Sequence, residues 1–161
     1  MAYVLDYLQG RGVVFTVIPH PKAPTARSEA HALHVPEELV AKTVVAIAGF
    51  GPALMVVPAS RTLDMSLVAE AVGDPFVRLA TERELAERFP SYELGALPPL
   101  SMLLLAPMYV DPSIATLDEV VFAAGRQDVS IRMTSRDLFG SDPVVITPLT
   151  SESRTIAAPT A

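Results

Sequence analysis

Cysteine is absent from the 161 residues, which excludes a disulfide framework and any thiolate chemistry. That absence is neutral on compartment, and the cytoplasm is the default expectation. Positive charge is scarce: 12 Lys and Arg face 18 Asp and Glu, for a net charge of −6. This argues against a DNA-binding or other nonspecific nucleic-acid-binding protein, which draws most of its affinity from neutralising phosphates. Long apolar runs are also missing, although half the residues are apolar and the mean hydropathy is +0.38. Gly49-Phe50-Gly51-Pro52 interrupts the run from Thr43 to Ala59, and Pro98, Pro99 and Pro107 interrupt that from Ala96 to Val110. A hairpin and buried strands fit these stretches better than membrane spans. The N-terminus carries no basic segment followed by an apolar one, so no secretion signal is expected. There is no Gly-x-Ser-x-Gly elbow, P-loop or dinucleotide fingerprint. Of the three histidines, His31 and His34 share a helical face but have no Asp or Glu at a recognisable ligand spacing. Surface positions are expected for them, with no metal and no cofactor.

What is present reads as one domain over residues 1–146, followed by a tail, 147–161, rich in Thr, Ser, Pro and Ala and expected to be mobile. Val4, Leu5 and Leu8 recur at helical spacing over Tyr3 to Gln9, and an extended segment follows from Val13 to Ile18. Thr25 or Ser28 is placed to cap a short helix through Ala30 and Leu33. Lys42 to Ala48 and Ala53 to Val57 read as adjacent antiparallel strands. A helix over Asp64 to Val72 stops at Gly73, a strand covers Phe76 to Ala80, and Thr81-Glu82-Arg83-Glu84 is a capping box for a helix reaching Phe89. Met102 to Ala106, Met108 to Val110, Val120 to Ala123 and Ser130 to Met133 are read as strands, and Ser135 to Phe139 as a last short helix. These hairpin signals and short helices predict an α+β fold with a mixed, mainly antiparallel, strongly curved sheet flanked by helices.

Four groups of residues invite a chemical reading. Lys42 leads directly into an apolar strand, so its ammonium either stays in water, as most lysines do, or points into a cleft where it meets a phosphate as a point charge. Gly95-Ala96-Leu97-Pro98-Pro99 is either a plain tight loop or a stiff wall whose glycine lets backbone amides approach a ligand. Asp111, before Pro112 and Ser113, reads first as a turn cap. The Ala124-Gly125-Arg126-Gln127 turn completes the set.

Taken in order, Lys42-Thr43-Val44-Val45-Ala46-Ile47, Gly95 to Pro99, Tyr109-Val110-Asp111, Val121-Phe122-Ala123-Ala124-Gly125 and Ile131-Arg132-Met133 resemble the YbaK/ProX family of aminoacyl-tRNA editing domains. With His20-Pro21 and Thr25 ahead of them, the resemblance covers residues 1 to 140. It implies a barrel-like mixed sheet and metal-independent hydrolysis in trans of tRNA mischarged with a small amino acid such as alanine, serine, cysteine or proline. It assigns Lys42 and Gly95 to the reaction. His20, Thr25, Thr43, Ala96, Leu97, Pro98, Asp111, Gly125 and Gln127 are assigned to substrate binding or the pocket edge. Many relatives have histidine where this chain has Gln127, which cannot take a proton near neutral pH. That departure raises the alternative of a noncatalytic tRNA- or synthetase-binding module; hydrolysis of a small ester unrelated to tRNA is a third reading. The acidic balance predicts weak binding of the tRNA acceptor end by the protein alone, which leaves a role for a synthetase that already holds the tRNA.

Overall fold

Capping residues and glycines set most of the element ends in the computed structural model, which describes residues 1–157. Helix α1 (Ala2–Gly10) buries Val4 and Leu8, one turn apart on the same face. Strand β1 (Phe15–Pro19) leads to α2 (Ala26–Leu33), where Thr25 and Ser28 exchange the reciprocal bonds of a capping box. A 3-10 turn (Glu37–Leu39) precedes the hairpin of β2 (Ala41–Ala48) and β3 (Gly51–Pro58), paired from Ala41 with Pro58 to Ala48 with Gly51. Asp64 caps α3 (Met65–Val72), and Gly73, at φ +71°, ends it in the left-handed conformation a glycine tolerates. Then come β4 (Arg78–Leu79) and α4 (Glu82–Arg88), the latter opened by the Thr81–Glu84 capping box. The remaining elements are α5 (Ser101–Leu104), β5 (Met108–Val110), α6 (Pro112–Ala115), β6 (Glu119–Arg126), β7 (Val129–Thr134), α7 (Ser135–Ser141), β8 (Val145–Ile146) and α8 (Ser151–Ala157).

The strands form two sheets, an antiparallel β1-β7-β6 and a mixed β4-β2-β3-β5-β8 in which β5 and β8 run parallel to their neighbours. The class is the expected α+β, but the sheets do not close into one barrel; a parallel bridge between Val40 and Val121 connects them. The main core draws Val4 and Leu8 of α1, Val45, Leu54, Val56 and Met108 of the larger sheet, and Phe122, Ile131 and Met133 of the smaller. The far face of the larger sheet packs Ala46, Met55 and Val57 against Val68 of α3 and Leu149. Covered on both faces, β3 shows the continuous apolar run of a central strand. Helix α2 packs Ala26 and Ala30 against Val40, Ala59 and Val121.

Three expectations need correction. Met102 to Ala106 is not a strand: Ser101–Leu104 is a helical turn ended by Leu105 at φ +55°. The Asp142 carboxylate accepts from Met102 N and Ser101 Oγ at its start, a distant partner invisible in a short apolar run. The strand expected over Phe76 to Ala80 shrinks to two residues, with Phe76 exposed. Residues 147–154 do not form a loose tail, because Leu149 is fully buried and Thr150 and Ser153 are bonded to Asp111; residues 158–161 lie outside the described part of the chain.

Candidate functional site

The Gly95 loop is held against two segments distant in sequence. Gly95 sits at φ +76°, and a Cβ there would stand 2.1 Å from the Pro24 carbonyl oxygen. Glycine is therefore required twice over, by conformation and by the approach of the Pro24 backbone. Behind it, Gly125 N donates to Ala96 O and Glu93 N to Gly125 O, both at 2.9 Å, while Ala23 N donates to Gln127 O at 2.7 Å. Gly125, also at positive φ, would press a Cβ to 3.0 Å from the Tyr92 ring. Ala96 and Pro98 are buried and Leu97 packs against the core. The structure thus brings together Gly95, Ala96, Gly125, Gln127 and the Ala23–Thr25 strap. A shallow cleft lined by Phe89, Tyr92, Leu94, Gly95 and Leu97 lies along the loop.

Gln127 braces this loop. Its Nε2 donates to Leu94 O at 2.8 Å and its backbone N to Glu93 Oε1 at 3.0 Å, so one of its two amide hydrogens is spent on the wall. Thr25 is likewise committed, its hydroxyl accepting from Ser28 N and donating to Ser28 Oγ.

Lys42 stands half-buried at the start of β2, opposite Val57. No carboxylate among the described residues pairs with it. Burial, and next the Arg27 charge, push its pKa below the ordinary lysine value. Arg27 belongs to the first turn of α2 and pairs with Glu37 at 3.1 Å. The opening of α2 is therefore the common neighbour of Lys42 and of the strap on Gly95. A desolvated, unpaired ammonium beside a second cation gains most from an arriving anion. Thr43 faces the other side of β2, and its Oγ1 is buried with no hydrogen-bond partner.

Asp111 is the cap that its place before Pro112 and Ser113 suggests first, and His20 is held within the protein. His20 is engaged at both ring nitrogens, Nδ1 lying 2.7 Å from Pro21 O and Nε2 2.7 Å from Ser130 Oγ, so neither is turned to a ligand. Ser130, fully buried, is in turn hydrogen-bonded to Glu29 Oε2, and Glu29 is 3% exposed. Sequence reading missed Glu29 and Ser130; a glutamate in a helix among alanines was the one available signal. Asp111 does not reach the Gly95 loop. It caps α6, and its carboxylate accepts from Ser113, Leu149, Thr150 and Ser153. His31 and His34 are exposed, and among the described residues no three His, Asp or Glu side chains are grouped to hold a metal. No helix among them is long and apolar enough to cross a membrane.

Comparisons with known proteins bear on the fold and the family. A solved structure of a hypothetical protein superposes with a TM-score of 0.84 at 23% identity, covering 92% of this chain and 99% of that one. A candidate trans-editing enzyme for prolyl tRNA synthetase superposes with a TM-score of 0.76 at 26% identity, covering 91% of this chain and 95% of that one. No curated protein matches the sequence. The family model of the aminoacyl-tRNA editing domain matches residues 20–140, a span that contains the Gly95 loop, its strap and Lys42, and the chain belongs to that family.

Proposed function

We propose that the protein is a trans-editing hydrolase that removes a small amino acid from mischarged tRNA. The observation that carries this reading is the half-buried Lys42, without a carboxylate partner, beside the helix whose strap holds Gly95 in place. An aminoacyl ester on ribose is labile, so a positioned water and a polarised carbonyl suffice. Lys42 holds the terminal phosphate or ester region of the acceptor end, and backbone groups around Gly95 orient the carbonyl and the water. Water oxygen bonds to the carbonyl carbon, the carbon–oxygen bond to ribose breaks, and the ribose oxygen leaves with a proton. Gln127 acts through the Leu94 carbonyl, fixing the wall rather than moving a proton.

The test is deacylation of Ala-, Ser- and Cys-tRNA(Pro) and Pro-tRNA by wild type and Lys42→Ala. Turnover of one or two substrates is expected, and its loss in Lys42→Ala with an unchanged thermal unfolding curve. Full turnover in the variant would refute the role of Lys42. Absence of turnover by wild type on every substrate would favour the second reading, a binding module that kept the fold, to which the engaged Gln127 amide lends its support.

A further inference from the structure

Three buried or half-buried groups near the strap are unused by the reaction proposed above, and their contacts pose a counting problem. Glu29 Oε2 meets Ser130 Oγ, Ser130 Oγ meets His20 Nε2, and His20 Nδ1 meets Pro21 O. Each contact needs one hydrogen. The Pro21 carbonyl can only accept, so Nδ1 must carry a proton. A neutral His20 then has a bare Nε2, which must accept from the Ser130 hydroxyl, and Ser130 Oγ must accept from Glu29. That order is complete only if Glu29 is protonated. The reverse order, with Ser130 donating to an ionised Glu29 and accepting from His20 Nε2, is complete only if His20 is an imidazolium. Either way the chain holds one proton beyond a carboxylate and a neutral imidazole. Without it, either the Ser130 hydroxyl faces two acceptors with one hydrogen, or Nδ1 faces the Pro21 oxygen with none.

We propose that Glu29 is a positioning residue that, through Ser130 and His20, clamps the His20–Thr25 strap beneath Gly95 while the trio keeps this shared proton. Beside the Lys22–Glu93 ion pair and the Thr25–Ser28 cap, the strap is held by His20 N to Asp128 O, Ala23 N to Gln127 O, and the His20 ring to Ser130. With Nδ1 still donating to Pro21 O, loss of the proton leaves Ser130 donating to the ionised Glu29, which releases the His20 ring from Ser130 and keeps a buried negative charge beside it, so the Pro24 carbonyl loses one of the anchors that fix its place against Gly95. Burial, opposed by the Ser130 hydrogen bond, raises the Glu29 pKa to about 7, which puts that release in the neutral range. The neighbouring charges are internally paired: Asp128 with Arg126, Glu93 with Lys22, Arg27 with Glu37, and Arg132 of β7 with Glu119. Among them, Asp128 is the one whose carboxyl feels His20, as the last of the influences that lower it, after Arg126. Strand β1 brings no titratable side chain to the trio.

The effect on catalysis rests on the editing reading, so the deciding measurement is independent of it. In the whole protein, the Glu29 carboxyl carbon and the His20 ring nitrogens are followed by NMR from pH 4 to 9. A Glu29 midpoint near 7 is expected, reported also in the His20 ring signals, with Nδ1 protonated throughout and faster exchange of the Ala23 amide above it. In Glu29→Gln, whose amide donates permanently to Ser130, that midpoint should vanish from the His20 and Ala23 signals. Glu29 titrating alone in the acid range, or His20 protonated only on Nε2, would overturn the clamp even if the protein deacylates tRNA. Ser130→Ala, which cuts the chain without adding charge, should remove the Glu29 midpoint from the His20 signals; its persistence there would also overturn the clamp. If deacylation is found, its KM should rise above pH 7 in wild type and not in Glu29→Gln, with kcat changing less.

Discussion

Glu29 and Asp111 are both carboxylates withdrawn from solvent, at 3% and 0% exposure, yet they are pushed in opposite directions. Burial dominates at Glu29, where one serine hydroxyl is too little to hold a charge, and its pKa rises to about 7. At Asp111 burial also raises the pKa, but six hydrogen bonds from Ser113, Leu149, Thr150 and Ser153 together outweigh it, and the result is a lowered value. Arg61 adds a cation at 3.9 Å. The number of donors, not burial, decides which carboxylate keeps its charge. Asp111 is thereby a permanent fastener for the C-terminal segment, whereas Glu29 sits where its protonation can change near neutral pH, beside the candidate site.

Removing the fastener should have the largest effect. Asp111→Ala strands the amides of Leu149 and Thr150 and the hydroxyl of Ser153, all aimed at one buried point. A loss of about 3–5 kcal/mol is expected in urea unfolding, the cost of breaking a buried charged network from one side, with the region after Thr147 becoming open to proteolysis. A loss near 1 kcal/mol would mean that Asp111 is no more than a helix cap.

The pH dependence of stability separates the two carboxylates by sign. The Asp111 pKa is lowered by folding, so its contribution is present above the ordinary aspartate value of 3.8 and is lost as pH falls through the lower folded value. Glu29 moves from 4.5 to about 7, so its contribution is complete below 4.5, declines as pH rises, and is gone above about 7. The decline amounts to no more than about 3 kcal/mol at 1.36 kcal/mol per unit. Urea midpoints at pH 3, 5 and 8 should therefore peak at pH 5. Glu29→Gln should abolish the fall from pH 5 to 8 and leave the fall from 5 to 3, a result that distinguishes the two groups in one experiment.

The same contrast shows what the sequence could reveal. The Thr81–Glu84 and Asp64–Gly73 boundaries were readable because cap and helix are neighbours in the chain. The hairpin of β2 and β3 was readable from its β-branched residues and glycine turn, and the ordered blocks from Lys42 to Met133 carried the family. Partnerships across the chain were not readable. Ser130 lies 101 positions from Glu29 and Asp111 lies 38 from Leu149, and neither pair has a local signature. For the same reason the helical turn at Ser101–Leu104 passed for a strand and residues 147–154 for a tail. Of the candidate site, the turn at Gly95, the place of Lys42 at the head of β2 and the local cap of Thr25 were legible as positions, whereas the engagement of Gln127 with Leu94 O and of His20 with the Ser130 hydroxyl was set by partners far along the chain.

A smaller change tests whether the strap and the Gly95 loop form the mechanical unit that the clamp on Glu29 would control. Gly95→Ala places a methyl group 2.1 Å from the Pro24 oxygen in a backbone conformation at φ +76° that alanine disfavours. The conformational term costs about 1–2 kcal/mol; the contact is relieved if the exposed Pro24 moves away. Stability should fall by at least that amount, since the contact is with the Pro24 backbone, but by less than at Asp111, because the core behind Ala96 and Leu100 is untouched. Ala23 exchange should rise at every pH, reproducing in the variant what high pH does to wild type, and its pH dependence should shrink. If Gly95→Ala instead left Ala23 protected below pH 7 and retained the full alkaline increase, the strap would be held independently of the loop. The difference between the two carboxylates would then stop at Glu29 and never reach the wall.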